Sequence, residues 1–314
     1  MLKYSKIKEN KQQLLALSSL TIEEFEELLQ VFGSIWMQQM KYYTIEGKYR
    51  ERAYREKSNG VLPLVADKLF FILYYLKNNP LQESLAASFG MTQPQANKYI
   101  HIYKKVLHEA LSVFNCLPER KVSKLKDRLL ASGEDEFYCD GTERLIPRST
   151  DWETQKENYS GKKHAHSKKN NVVTNTKCEI EYLSQTYEGS VHDKKITDEE
   201  ELEFPDDSTV FVDTGFKGLT VKGEGIEIIM PAKRQKGEEL TVEQKHNNKL
   251  ISKVRIKVEH AIGGGKRLRI VKDKVRAWKD EFRDFVMEIA CAIHNFRLKF
   301  RPWVYPDSEK ILQT

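Results

Sequence analysis

The sequence predicts an all-α N-terminal part followed by an α/β part, and three observations carry that prediction. Apolar residues recur at three- and four-residue steps up to about residue 130. Beyond about residue 134, short runs rich in β-branched and aromatic residues take over, separated by turn-forming residues. Two further helical stretches close the chain. Strands first, with helices between and after, is the order of a layered α/β or α+β unit.

The helical elements follow in order. Leu20, Phe25, Leu28, Leu29 and Phe32 hold helical spacing, and Thr21 with Glu24 makes a capping-box pattern. Residues 46–60, EGKYRERAYREKSNG, are charged and read as a linker or a solvated basic helix. Leu62, Val65, Leu69, Ile72, Leu73 and Leu76 make the face of one helix, which Asn78-Asn79-Pro80 ends. Leu81, Leu85 and Phe89 make a second, short one. Gly90 suits the left-handed position after it, and Thr92 caps a third helix with Pro94 in its first turn. That helix buries Ala96, Tyr99, Tyr103 and Val106, and shows Gln93, Gln95, Asn97, Lys98, His101 and Lys105 on its other face. Helix, short helix, glycine turn and amide-rich helix form a helix-turn-helix pattern. Amide side chains there can pair with adenine edges, and lysines can meet phosphates. An ordinary bundle with a polar outer face fits the same periodicity.

Strand-like segments fall at 136–139, 171–176, 179–187, 209–213 and 226–230. Helical patterns follow at 241–262, which opens on a Thr cap, and at 279–300. In the second, Phe282, Phe285, Val286, Ile289, Ile293 and Phe296 share a face.

Composition bounds the class. The 314 residues suffice for two or three domains, and 39% hydrophobic with 31% charged residues is a soluble balance. The net charge of +6 is mild, so its distribution matters more than its sum. Cys116, Cys139, Cys178 and Cys291 are far apart and form no C-x-x-C pair, which argues against a zinc ribbon or a disulfide framework and for a reducing compartment. The N-terminus has no apolar targeting core, and the longest apolar run, residues 69–76, falls short of the roughly 20 residues of a membrane span. A cytosolic protein is expected.

Three carboxylates stand out. Asp140 follows the apolar run Phe137-Tyr138-Cys139, and Asp213 follows the run in TVFVDTGFKG, each with a glycine soon after. Glu259 lies on the helix of VRIKVEHAIGGGKR, one turn past Arg255. Neighbouring strands could bring the aspartates together, and three converging carboxylates tolerate one another only around a cation. Oxygen-only ligands suit Mg²⁺ or Mn²⁺ rather than zinc. The competing reading is that the aspartates are solvated turn residues and that Glu259 pairs with Arg255.

Lesser signals surround these. Residues 255–279 are strongly basic and read as a DNA channel or a solvated face. The basic segments 161–171 and 231–239 read as loops, the first approaching DNA or a partner subunit. His192-Asp193 reads either as a neighbour of the metals or as a capped helix start. His164 and His166 lack zinc-like spacing, and Gly263-Gly264-Gly265-Lys266-Arg267 is not a P-loop, so no ATP use follows. Trp278 and Trp303 read as core or interface residues.

The pattern YCDGTE, FVDTGFKG and SKVRIKVEHAIGGGKR resembles the catalytic core of DDE transposases, specifically those of the IS5 family of bacterial insertion sequences, a style shared with PIF/Harbinger-type elements. Residues 153–173 and 189–196 are similar to further segments of that core. The helix-turn-helix at 62–110 resembles the DNA-binding unit found in part of the family.

The resemblance implies an RNase H-like core, a mixed sheet flanked by helices, over 131–300. Before it come an N-terminal helical region, 1–57, and a helix-turn-helix with linker helix, 58–130; a tail, 301–314, follows. It implies that Asp140, Asp213 and Glu259 are the catalytic and metal-binding residues, holding two Mg²⁺ or Mn²⁺ ions. The family signature around the glutamate matches at Arg255, Glu259 and Lys266, but Ser252 stands where a tyrosine is usual. Arg255, Lys266 and Arg267 would grip phosphates.

The implied function is a DNA transposase that binds terminal inverted repeats, cleaves element ends and joins the 3′-hydroxyl to target DNA. It would act on double-stranded DNA as a homodimer or larger synaptic complex, in the bacterial cytoplasm with the nucleoid, without membrane or ATP. A domesticated or inactive DNA-binding regulator and a stand-alone RNase H-like nuclease are the alternatives.

Overall fold

A computed structural model of the chain describes residues 1–45, 47–54, 60–234 and 239–304. The chain divides into two compact units, Met1–Leu117 with Arg267–Asp273, and Pro118–Lys266 with Lys274–Thr314.

The first unit is helical: α1 (Tyr4–Ile7), α2 (Lys11–Ser18), α3 (Ile22–Tyr42), α4 (Val65–Asn78), α5 (Gln82–Phe89) and α6 (Gln93–Val113), to which the short α11 (Arg269–Lys272) returns. The Thr21–Glu24 capping box forms as its sequence dictates: the Glu24 N–H donates to the Thr21 hydroxyl and the Thr21 N–H to the Glu24 carboxylate. In α3, Phe25, Leu28, Phe32 and Trp36 are buried at helical steps. Between α5 and α6, Gly90 adopts the left-handed conformation (φ +69°) that a side chain would resist. Thr92 and Gln95 then form a second capping box. Ala96, Ile100, Tyr103, Val106 and Leu107 bury the inner face of α6, with the Phe71 ring edge-on to Phe89 and Tyr103. Tyr99 is only half-buried. Of the charged stretch 46–60, residues 47–54 are not helical, and an isolated bridge joins Tyr43 to Tyr49; residues 46 and 55–59 lie outside the described residues.

The second unit is mixed α/β. Its elements are α7 (Leu125–Ser132), β1 (Glu136–Leu145), α8 (Trp152–Asn158), β2 (Tyr159–Ser160), β3 (Ala165–Thr174), β4 (Ile180–Leu183), β5 (Tyr187–Glu188), α9 (Asp193–Glu200), β6 (Thr209–Phe211), β7 (Glu227–Ile229), α10 (Val242–Gly265) and α12 (Asp280–Leu298). The sheet runs β2-β3-β1-β6-β7, with β4 and β5 also on β3. β3 lies antiparallel to β1, β4 and β5, whereas β6 and β7 run parallel to β1. Phe137, Cys139, Val173, Val210 and Val212 pack with Leu125 and Leu129 of α7 on one face. Alternate residues of β1 point to the other face, where α10 lies.

One expectation changes here. Of residues 161–171 only 161–164 form a turn; β3 begins at Ala165, and Ser167–Asn171 are buried in mid-sheet. Their charges are tolerated because they are paired: Lys168 reaches Glu188 (3.2 Å) and Asp280 (3.4 Å), and Lys169 reaches Glu143 (3.5 Å) and Asp193 (3.4 Å). Of the triple glycine, Gly264 serves packing. At Gly264 a Cβ would stand 2.1 Å from His294 Nδ1 of α12, so α10 and α12 approach where only glycine fits. Of the segment 231–239, residues 235–238 lie outside the described residues.

Candidate active site

The site is set by a mismatch of strand lengths. β1 runs to Leu145, but its parallel partner β6 stops at Phe211, opposite Tyr138. Asp140 therefore lies inside a strand rather than at its end, yet beyond the last residue of its neighbour. It keeps only the antiparallel partner Val172 of β3. Asp213 follows β6 by two residues, as Asp140 follows Tyr138 by two. Tyr138 and Phe211 stack ring on ring (5.2 Å), so by the two-residue alternation both aspartates project on that same face. Asp213 opens a short 3₁₀ turn, its Oδ1 accepting the Gly215 N–H at 2.7 Å.

That face is covered by α10. Lys257 Nζ donates to the Tyr138 hydroxyl (3.1 Å), and Arg255 Nη2 reaches Asp140 Oδ2 (3.5 Å). The guanidinium thus serves Asp140 rather than Glu259, and its buried Nε has no protein partner. Glu259 lies one turn further along α10, exposed. Among the described residues no hydrogen bond or ion pair reaches its carboxylate, and no group of three or more His, Cys, Asp or Glu side chains stands close enough to enclose an ion. Arg255 contacts Asp140, and the charge of Asp213 acts on that same carboxylate; among the described residues the Glu259 carboxylate makes no contact with either aspartate. Ser252, at the usual tyrosine position, is exposed.

Burial pushes the Asp140 carboxyl from 3.8 up to about 6; the charges of Asp213 and Asp193 push the same way, against Arg255 and the Gly141 N–H. A carboxylate raised by burial, with the charge of a second aspartate beside it, is a donor that a hard divalent cation relieves, and oxygen-only ligands fit Mg²⁺ or Mn²⁺. Lys266, at the C-terminus of α10, is pulled below the ordinary lysine range by burial first, then by the charges of Lys163 and Arg144, with Glu143 and Asp140 opposing. A half-buried cation beside other cations is suited to an anionic ligand such as a phosphate.

Sequence reasoning underrated the opposite face of β1. Glu143 does not pair with its neighbour Arg144, because adjacent strand residues point opposite ways. It takes Lys169 and the Ser167 hydroxyl, while Arg144 bonds Asn170 and Thr186. Asp193 also joins Lys169. The signal for this cluster was present in HSKKNNVV, a polar run feeding directly into a buried strand. His192 precedes α9 as its cap residue without a side-chain cap bond, and Trp278 is 67% exposed, so it is no core residue.

In the helical unit, Gln95, Lys98, His101 and Lys105 lie exposed on α6, while Gln93 and Asn97 are half-buried. Both of the latter donate to Gln82 Oε1 at the start of α5, a residue the helical pattern did not single out. Gln95 spends its side-chain oxygen on the Thr92 cap. Arg267 belongs to this first unit; it is exposed, and its carbonyl accepts from Lys77.

A helix-turn-helix unit, joined to a mixed α/β unit with two aspartates aligned at the end of a shortened parallel strand, is the layout of an enzyme that acts on DNA. Comparison with known families agrees: residues 139–295 match the DDE superfamily endonuclease family, and residues 62–112 match the helix-turn-helix of DDE superfamily endonuclease. The chain belongs to the DDE superfamily of endonucleases. It is similar to a protein of Microchaete diplosiphon described as "Probable transposase for insertion sequence element IS702", with 24% identity over 251 residues, covering 79% of this chain and 86% of that one. No solved structure matches.

Proposed function

We propose that this protein is a DNA transposase, reading the terminal inverted repeats of its element with α6 and cutting the element ends with the second unit. The observation that carries the reading is the alignment of Asp140 and Asp213 beyond the Tyr138–Phe211 pair, with Arg255 against Asp140. Asp140, Asp213 and Glu259 would hold the divalent ions. Bound there, such ions supply an activated water for attack on the phosphodiester and neutralise charge on the leaving oxygen.

The remaining roles fall to the chain's own groups. Arg255 presents an unpartnered buried Nε, a donor suited to a phosphate oxygen beside the scissile bond. Lys266 holds a second cation near it, and Arg267 with the exposed face of α6 adds backbone contacts. After cleavage, the freed 3′-hydroxyl would be the nucleophile for joining to target DNA. Holding two element ends calls for a dimer or larger assembly.

A second reading, a DNA-binding protein that no longer cuts, is favoured by one observation: Glu259 stands exposed with no partner among the described residues. One assay separates the two. Incubated with a labelled inverted-repeat duplex and Mg²⁺, the wild type nicks at the element end. Asp140→Ala, Asp213→Ala and Glu259→Ala bind the duplex with unchanged affinity and do not cut. A wild type that binds but never cuts establishes the second reading, and any single variant that cuts normally removes that residue from the catalytic set.

A further inference from the structure

From the geometry we infer that Asp193 is a positioning residue for the proposed cleavage site, holding the Asp140 carboxylate in place through the backbone of Gly141. This rests on the reading of Asp140 as a catalytic carboxylate. Asp140 is fixed from its own strand: its Oδ1 accepts the N–H of Gly141 at 2.7 Å. Wherever the Gly141 peptide goes, that oxygen follows.

The Gly141 peptide is in turn braced from the far face of the sheet. A Cβ built on Gly141 would lie 2.7 Å from the carboxyl carbon of Asp193 and 2.8 and 2.9 Å from its oxygens. Any side chain at position 141 would have to displace the Asp193 carboxylate from its place, so the glycine here answers to a close approach and not to a turn. Asp193 is itself held. Its carboxylate pairs with Lys169 (3.4 Å), and its carbonyl accepts from Asn171 Nδ2 (2.7 Å). Lys169 is tied to Val191 O (2.9 Å) and Glu143 (3.5 Å). The Asp193 side chain is only 17% exposed and Lys169 9%, so neither swings freely. Asn171 also binds the Thr197 hydroxyl, locking the first turn of α9 to β3. The series Lys169, Asp193, Gly141, Asp140 is therefore a continuous line of contacts from β3 to the site.

This accounts for two features that cleavage chemistry alone leaves aside: the glycine directly after the first aspartate, and the buried lysine at mid-strand in β3. Outer groups that orient a metal-holding carboxylate typically matter 10–100-fold for metal affinity or rate.

The test uses the full chain. Mn²⁺ binding is measured calorimetrically without DNA, and nicking of a labelled inverted-repeat duplex is measured separately, in wild type, Asp193→Asn, Asp193→Ala, Gly141→Ala, the double variant Gly141→Ala/Asp193→Ala, and Asp140→Ala. The expected result is Mn²⁺ affinity and nicking rate both roughly tenfold lower in Asp193→Asn, with duplex affinity unchanged. Gly141→Ala is expected to be severe alone but to add little to Asp193→Ala, because the clash needs both partners. That non-additivity is a signature general destabilisation does not produce. Wild-type Mn²⁺ affinity and rate in Asp193→Asn, or additive losses in the double variant, overturn the inference while Asp140→Ala remains dead. An Asp140→Ala protein that binds Mn²⁺ and nicks like the wild type overturns the underlying reading instead.

Discussion

Replacing Asp140 by Asn should stabilise the metal-free protein while abolishing cleavage. Its carboxyl is raised from 3.8 to about 6, so ionising it inside the fold costs more than ionising it in the unfolded chain. Each tenfold change is about 1.4 kcal/mol, which makes the cost roughly 3 kcal/mol once the group is fully charged. The side chain is 19% exposed, so solvent screens this only modestly. The sign follows from proton counting. Between pH 3.8 and about 6 the folded chain holds more protons than the unfolded one, so stability falls as pH rises through that window. The cost is fully present above it and absent below. Asn keeps the shape and removes the charge, including its pairing with Arg255, which is already part of the net figure. Unfolding of wild type and Asp140→Asn in chelator, at pH 8 and at pH 3.5, is the measurement. The variant should gain about 3 kcal/mol at pH 8, on the order of 6–12 °C in melting temperature for a unit of this size, and nothing at pH 3.5. Added Mg²⁺ should stabilise the wild type and not the variant. A variant no more stable than wild type at pH 8 would show that the carboxylate is not strained by burial and its neighbours, and the electrostatic argument for a cation there would fall.

Other outcomes follow from the same contacts. Arg255→Gln removes the group that opposes the rise in Asp140, so the acid limb of the cleavage pH profile should move to higher pH, read from nicking rates across a pH series. Gln82→Ala frees Gln93 and Asn97 from their shared acceptor; affinity for inverted-repeat DNA in gel shifts should fall several-fold, at about 1 kcal/mol for the lost orientation, with nicking of bound duplex unaltered. Gly264→Ala drives a methyl into His294 and should cost about 1–3 kcal/mol of stability by denaturant unfolding.

Much of this was legible because local rules agreed with the fold. The capping box at Thr21, the N-cap position of Thr92 and the left-handed glycine at position 90 use only local chemistry, and all three are found where the sequence puts them. The failures share one cause. The extent of β1 past Asp140 and the burial of Lys168 and Lys169 are set by strands distant in sequence, β3 and β6, and by ion pairs with Glu143, Glu188 and Asp193. A lysine run read in isolation is a solvated loop; only partners twenty or so residues away make it a strand. The aspartates could be singled out by sequence, but their alignment depends on the register of Tyr138 with Phe211, which no single-chain pattern encodes.

The 24-residue α10 carries Arg255 and Glu259 four residues apart on one rod, about 6 Å along its axis. Their interval is thus immune to insertions and deletions in the connection that precedes the rod. Lengthening or shortening that connection leaves the interval as it is, provided nothing is added between the arginine and the glycine notch that seats the rod's far end.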